Sequence, residues 1–90
     1  MRVIVCGAGQ VGYHIARQLS LENHDVTVID SSEDNIRAVN EALDVQTIQG
    51  FASYPDIQEQ ANAGDANMLI AVTQSDEVNM VACQVAHSLF

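Results

Sequence analysis

Ninety residues allow one small domain, which buries only roughly 60–65% of the surface its unfolded chain exposes. Apolar residues make up 48% and aromatics only 4%, so the core must be aliphatic, which suits a parallel sheet covered by helices. A net charge of −9, with Arg2, Arg17 and Arg37 as the only cations and no lysine, argues against nucleic acid and anionic lipid as partners and removes lysine chemistry.

The chain opens on an apolar run, Val3-Ile4-Val5-Cys6, which predicts a strand over 2–6. Gly7, Gly9 and Gly12 follow at once in a G-x-G-x-x-G spacing. In that pattern the first glycine permits a tight turn. The second lets backbone approach a pyrophosphate, and the third lets helix and strand pack closely. A helix is predicted over 10–22, with Val11, Ile15 and Leu19 forming the stripe toward the sheet. Its unpaired first-turn N–H groups and dipole would favour a phosphate. The run Val26-Thr27-Val28-Ile29 predicts a strand over 25–30 that ends on Asp30, a carboxylate suited to ribose hydroxyls. The same charge would repel a 2′-phosphate, which favours NAD over NADP.

Ser31-Ser32-Glu33-Asp34 reads as the capped, acidic start of a helix over 33–43, with Ile36, Val39 and Leu43 on its buried side. Arg37 on that helix reads as a solvated partner of Glu33 or Glu41. A strand over 45–49 comes next, then Gly50, Phe51 and Ser53 in a loop that would border an adenine. Pro55 suits the first position of a helix over 55–63. The most apolar strand is predicted over 67–72. The loop Thr73-Gln74-Ser75-Asp76-Glu77 follows it, and Ser75 or Asp76 would cap the last helix, which runs from 76. Thr73 and Glu77 could face the far end of a ligand.

Alternating strands and helices in this rhythm predict a Rossmann-like, doubly wound α/β sheet of order 3-2-1-4 with right-handed crossovers. Ligands of such sheets bind beyond the carboxyl ends of the strands at the switch point. The loops there are 7–10, 30–32, 50–54 and 73–77. The last helix is apolar on nearly every side and so expects cover. A cut from a longer chain carrying further strands, together with a dimer interface, explains it best.

Cys6 and Cys83 both read as buried small hydrophobes, and no Cys/His spacing suggests a metal. His14, His24 and His87 are scattered. Tyr13 and Tyr54 lack the Tyr-x-x-x-Lys companion of hydride chemistry. The chain reads as a binder of nucleotide with no means of reacting it. The alternative is the cofactor domain of an NAD-dependent oxidoreductase whose catalytic residues lie elsewhere. No signal peptide or membrane-length apolar run is visible, so the expected compartment is the cytosol.

The opening Met1–Gly12, the Val28-Ile29-Asp30 strand end and the segment from Leu69 to Gln84 resemble the RCK or KTN domain family. The regulatory proteins of Trk potassium uptake are members of it. The resemblance runs over all 90 residues, with Val72-Thr73-x-Ser75-Asp76-Glu77-x-Asn79-Met80 its most specific stretch. It implies a cytoplasmic subunit, peripheral at the inner face of the membrane, that assembles with a potassium transporter or channel. It also implies an NAD(H) effector, in some members ATP or ADP, that is sensed and not consumed. Carried over by position, Gly7, Ala8, Gly9, Gln10 and Val11 would hold the phosphates, and Asp30 and Ser31 the adenosine ribose. Gly50, Phe51 and Ser53 would border the adenine, and Thr73 and Glu77 the far end. The family often carries a small acidic or amide residue after Gly50, where this chain has Phe51. Residues 1–90 then form the N-terminal part of such a domain.

Overall fold

The apolar run near the start of the chain becomes the centre of the molecule. In a computed structural model describing residues 1–90, β1 (Arg2–Cys6) is flanked by β2 (Asp25–Asp30) on one side and β4 (Met68–Ala71) on the other. β3 (Gln46–Gln49) pairs with β2, and all pairings are parallel, giving the order β3-β2-β1-β4. The helices are α1 (Gln10–Leu21), α2 (Glu33–Ala42), α3 (Pro55–Gln60) and α4 (Asp76–Leu89). This is the doubly wound arrangement predicted, with the switch point between β1 and β4.

Alternation along the strands divides the core in two. Val3, Val5, Val26 and Val28 pack with Ala16 of α1 and Val39 of α2. Ile4, Cys6 and Ile29 pack on the opposite face with Ala61 and with Ala82 of α4. α1 and α4 bury small residues against the sheet, Gly12, Ala16 and Ala82, whereas α2 buries the branched Ile36 and Val39.

Three expectations need correction. Val11 is 62% exposed, since it lies one residue before the buried Gly12 and therefore about 100° around the helix. The inward side of α1 is Gly12 and Ala16, with Ile15 and Leu19 packed beside them. Cys83 is exposed, since it lies one residue past the buried Ala82 and therefore about 100° around the helix. Cys6 is buried as expected. Burial, reinforced by Cys83 nearby, pushes its thiol from 9.0 up to about 12, so it stays protonated at neutral pH. The third helix stops at Gln60, because Asn62 adopts a left-handed conformation (φ 60°) before a 3₁₀ turn over Ala63–Asp65. β4 lies at the sheet edge, as the predicted order requires, with Met68 47% exposed.

Arg37 bonds Glu33 at 3.0 Å one turn away, as predicted for a solvated pair. The outer side of α4 presents Met80, Val81 and Leu89 to solvent. No helix is long and apolar enough to cross a membrane.

Candidate functional site

The carboxyl ends of the four strands open into a cleft of about 310 Å³. Gly7 and Gly9, Asp30 to Ser32, Gly50 to Ala52 and Thr73 to Ser75 line it. Residues far apart in sequence are therefore brought together by strand order alone.

The three glycines serve different ends. Gly7 has φ +111°, which side-chain-bearing residues rarely adopt, and a Cβ there would lie 2.8 Å from the Val72 carbonyl oxygen. It thus lets the β1–α1 turn pass close to the end of β4. A Cβ on Gly12 would fall 1.8 Å from the Gly7 carbonyl oxygen, so Gly12 seats α1 against the strand end. A Cβ on Gly9 would meet nothing within 4 Å. No packing within the chain requires glycine at position 9, and the space it leaves open faces the cleft.

Gly9 is also the N-cap of α1, and no side chain caps that helix. In α2 and α4 the corresponding work is done by Ser32, whose Oγ accepts the Asn35 N–H, and Ser75, whose Oγ accepts the Val78 N–H, both at 3.2 Å. Ser75, not Asp76, is therefore the cap of the last helix. The start of α1 keeps its first-turn N–H groups and the positive end of its dipole without a side-chain partner, which is the setting that favours an anion. No cation lines the cleft. Backbone amides alone must provide the positive field there.

Asp30 does more than face this loop. One carboxylate oxygen accepts the Ala8 N–H at 2.6 Å and the Asn35 side-chain amide at 3.4 Å. The other accepts the Ser32 N–H at 2.7 Å. Asp30 therefore ties the glycine loop to the start of α2, and its remaining lone pairs are what a ribose could use. The Ala8 N–H, expected to hold phosphate, is committed to Asp30.

The other predicted residues fall as follows. Ser31 lines the cleft. Gln10 and Val11 are exposed in the first turn of α1, and Glu77 is exposed in the first turn of α4; none of the three lines it. Ser53 is half-buried and also lies outside it. Gly50 lines the cleft, yet a Cβ there would meet Ile57 Cδ1 at 2.6 Å, so packing of α3 already accounts for the glycine. Phe51 lines the cleft with its ring 5.5 Å from that of Tyr54, both about half exposed. Thr73 lines it too, but its hydroxyl donates to Asn79 Oδ1 at 2.6 Å, which leaves no free donor for a phosphate.

Asn35, Asn79 and Gln58 were not singled out from the sequence as residues of the site. Gln58 is fully buried behind the cleft floor, and its amide donates to the carbonyls of Ala52 and Ala82, each at 2.8 Å. Its Oε1 has no partner. Nothing in its sequence setting distinguishes it from a solvated helix glutamine.

A larger hollow of about 540 Å³ lies at the opposite, amino ends of the strands, lined among others by Arg2, Asn23, His24, Asp25 and Asp44. It has no glycine loop, and ligands of open α/β sheets bind at the other edge.

Residues 3–90 match the family model described as the TrkA-N domain. The chain is 52% identical over 90 residues to the Trk system potassium uptake protein TrkA of Halomonas elongata, covering all of this chain and 20% of that protein. It has the same identity and coverage against that of Azorhizobium caulinodans. It thus spans about a fifth of the length of these relatives. Among solved structures it is similar to the Kef CTD of Shewanella denitrificans in its AMP-bound form. The TM-score is 0.85 at 25% identity, covering 99% of this chain and 53% of that one. The NAD(P)-binding domain of an exopolyphosphatase-related protein from Archaeoglobus fulgidus shares the fold, with a TM-score of 0.85 at 16% identity, covering 98% and 65%.

Proposed function

The chain belongs to the TrkA-N domain family, and on that premise we propose that it is a nucleotide-sensing regulatory domain of a potassium-uptake system, with NAD(H) as its effector. The observation that carries the proposal is the open space at Gly9, beneath an uncapped helix start and across from Asp30. A pyrophosphate fits that cradle. The adenosine ribose reaches Asp30, the adenine lies against Phe51, and the second nucleoside runs toward Thr73–Ser75. ATP or ADP would use the same amides.

Asp30 is the only ionisable side chain lining the cleft. It serves binding, and no neighbouring group is set to pass a proton or receive a hydride. The relatives' shared name, that of a potassium uptake protein, supports the potassium-uptake part of the reading. A sensor of this kind acts only through differential affinity: nucleotide favours one arrangement of an assembled complex and so shifts its gate. We assign the chain to the N-terminal part of its domain. It works in the cytoplasm at the inner membrane face, in a homo-oligomer formed through the exposed side of α4 and attached to a potassium transporter or channel.

Calorimetric titration with NADH, NAD⁺, ATP, ADP and NADP⁺ tests the reading. Saturable binding of NADH is expected, with NADP⁺ weaker because Asp30 opposes its extra phosphate. Asp30→Ala should cost about 1–3 kcal/mol of binding, as for loss of a charged hydrogen-bond acceptor. Absence of heat with every nucleotide would overturn the proposal.

A further inference from the structure

The β4–α4 loop of the cleft owes its shape to a residue outside the cleft lining. Asn79, half-buried in the first turns of α4, accepts the Thr73 N–H on Oδ1 at 2.9 Å and the Thr73 hydroxyl on the same oxygen at 2.6 Å. Its Nδ2 donates to the Thr73 carbonyl at 3.1 Å. One side-chain amide therefore engages both the N–H and the C=O of a single residue, as a neighbouring strand would. The Thr73 hydroxyl oxygen in turn accepts the Ser75 N–H at 3.2 Å. The whole segment from Thr73 to Ser75 is laced to α4.

Strand order decides which part of a ligand meets that segment. The loops after β3 and β2 lie on one side of the glycine loop, and Thr73–Ser75 lies on the other. With the adenosine on the Asp30 side and the pyrophosphate over Gly9, only the second nucleoside of a dinucleotide extends over β4. A mononucleotide stops short of it.

We propose that Asn79 is a positioning residue that sets the selectivity of the cleft for dinucleotides over mononucleotides. It acts by fixing the Thr73–Ser75 wall against which the second nucleoside rests, and this rests on the nucleotide reading above. Loss of the amide frees the Thr73 N–H and C=O to bond water and lets the wall move. The adenosine side, at Asp30 and Phe51, is untouched. Asn79→Asp keeps an acceptor for the Thr73 N–H but sets a second carboxylate oxygen against the Thr73 carbonyl, so it should weaken the wall to a lesser degree.

The test is to titrate the wild-type chain, Asn79→Ala and Asn79→Asp with NADH and with AMP, and to follow amide hydrogen exchange at Thr73. For Asn79→Ala, NADH affinity should fall about tenfold while AMP affinity stays within about twofold, since only one ligand reaches the freed wall. Exchange at Thr73 should accelerate in Asn79→Ala and stay close to the wild-type rate in Asn79→Asp, whose carboxylate still accepts that N–H. If Asn79→Ala does not fold, Asn79→Asp carries the comparison, with a smaller loss confined to NADH. An unchanged ratio of NADH to AMP affinity, or a Thr73 amide as well protected in Asn79→Ala as in the wild-type chain, overturns this inference alone. A wild-type chain that binds neither compound overturns the nucleotide reading, and this inference with it.

Discussion

Gly12→Ala should lower the unfolding free energy by about 3 kcal/mol, at the upper end of what overpacking costs. The added Cβ would stand 1.8 Å from the Gly7 carbonyl oxygen and 2.7 Å from its carbon. Both are backbone atoms of a turn already held at φ +111°, so neither can rotate aside. Either α1 lifts from the sheet, losing contact at Ala16, or the turn deforms against Val72. Helix propensity works the other way, favouring alanine by about 1 kcal/mol, and the steric term wins. Urea unfolding followed by circular dichroism would measure the loss as a lower midpoint at unchanged slope. A midpoint at or above that of the wild-type chain would mean that close helix–strand packing is not what Gly12 provides.

Gly9→Ala should behave in the opposite way. Its backbone lies at φ −70°, open to any residue, and its Cβ would meet no atom within 4 Å. Fewer unfolded conformations favour alanine by about 0.4–1 kcal/mol. Alanine's poorer fit than glycine at the N-cap of α1 offsets this, so stability should stay close to that of the wild-type chain. Yet the methyl would occupy the space into which a pyrophosphate must come to reach the amides of α1. We expect NADH affinity to fall at least tenfold, about 1.4 kcal/mol, with no loss of melting temperature. Calorimetry on a variant already shown to be folded would separate the two effects. Wild-type affinity in Gly9→Ala would contradict the placement of the phosphates.

The contrast between these glycines shows what the sequence could convey. Their spacing, the apolar runs before each loop and the serines opening α2 and α4 were enough to give strand order, crossovers and the edge on which the cleft lies. These signals are local, and the rules joining them are topological. What stayed hidden depends on which side of a helix end meets its neighbour. Val11 and Cys83 are apolar residues within helices, but each sits one residue away from the buried line, Val11 before Gly12 and Cys83 after Ala82. The bracing amides were hidden for another reason. Asn79 and Gln58 bond backbone carbonyls six and more residues away, and no pattern of residue types records where a carbonyl will point. Gly50 shows the converse: read as an approach point for ligand, it also makes room for Ile57. Asp30 was legible as a carboxylate at the end of β2, but its bonds to Ala8 and Ser32 give it a second task in shaping the loop it faces.

Placement of the nucleotide is tested most directly by adding NADH to the ¹⁵N-labelled chain and following every backbone amide. The account predicts chemical-shift changes at Gly9 to Gly12, Asp30 to Ser32, Gly50 and Phe51, and Thr73 to Ser75. The hollow at Asn23, Asp25 and Asp44 should stay silent. Changes confined to that opposite hollow, or none at saturating NADH, would contradict it.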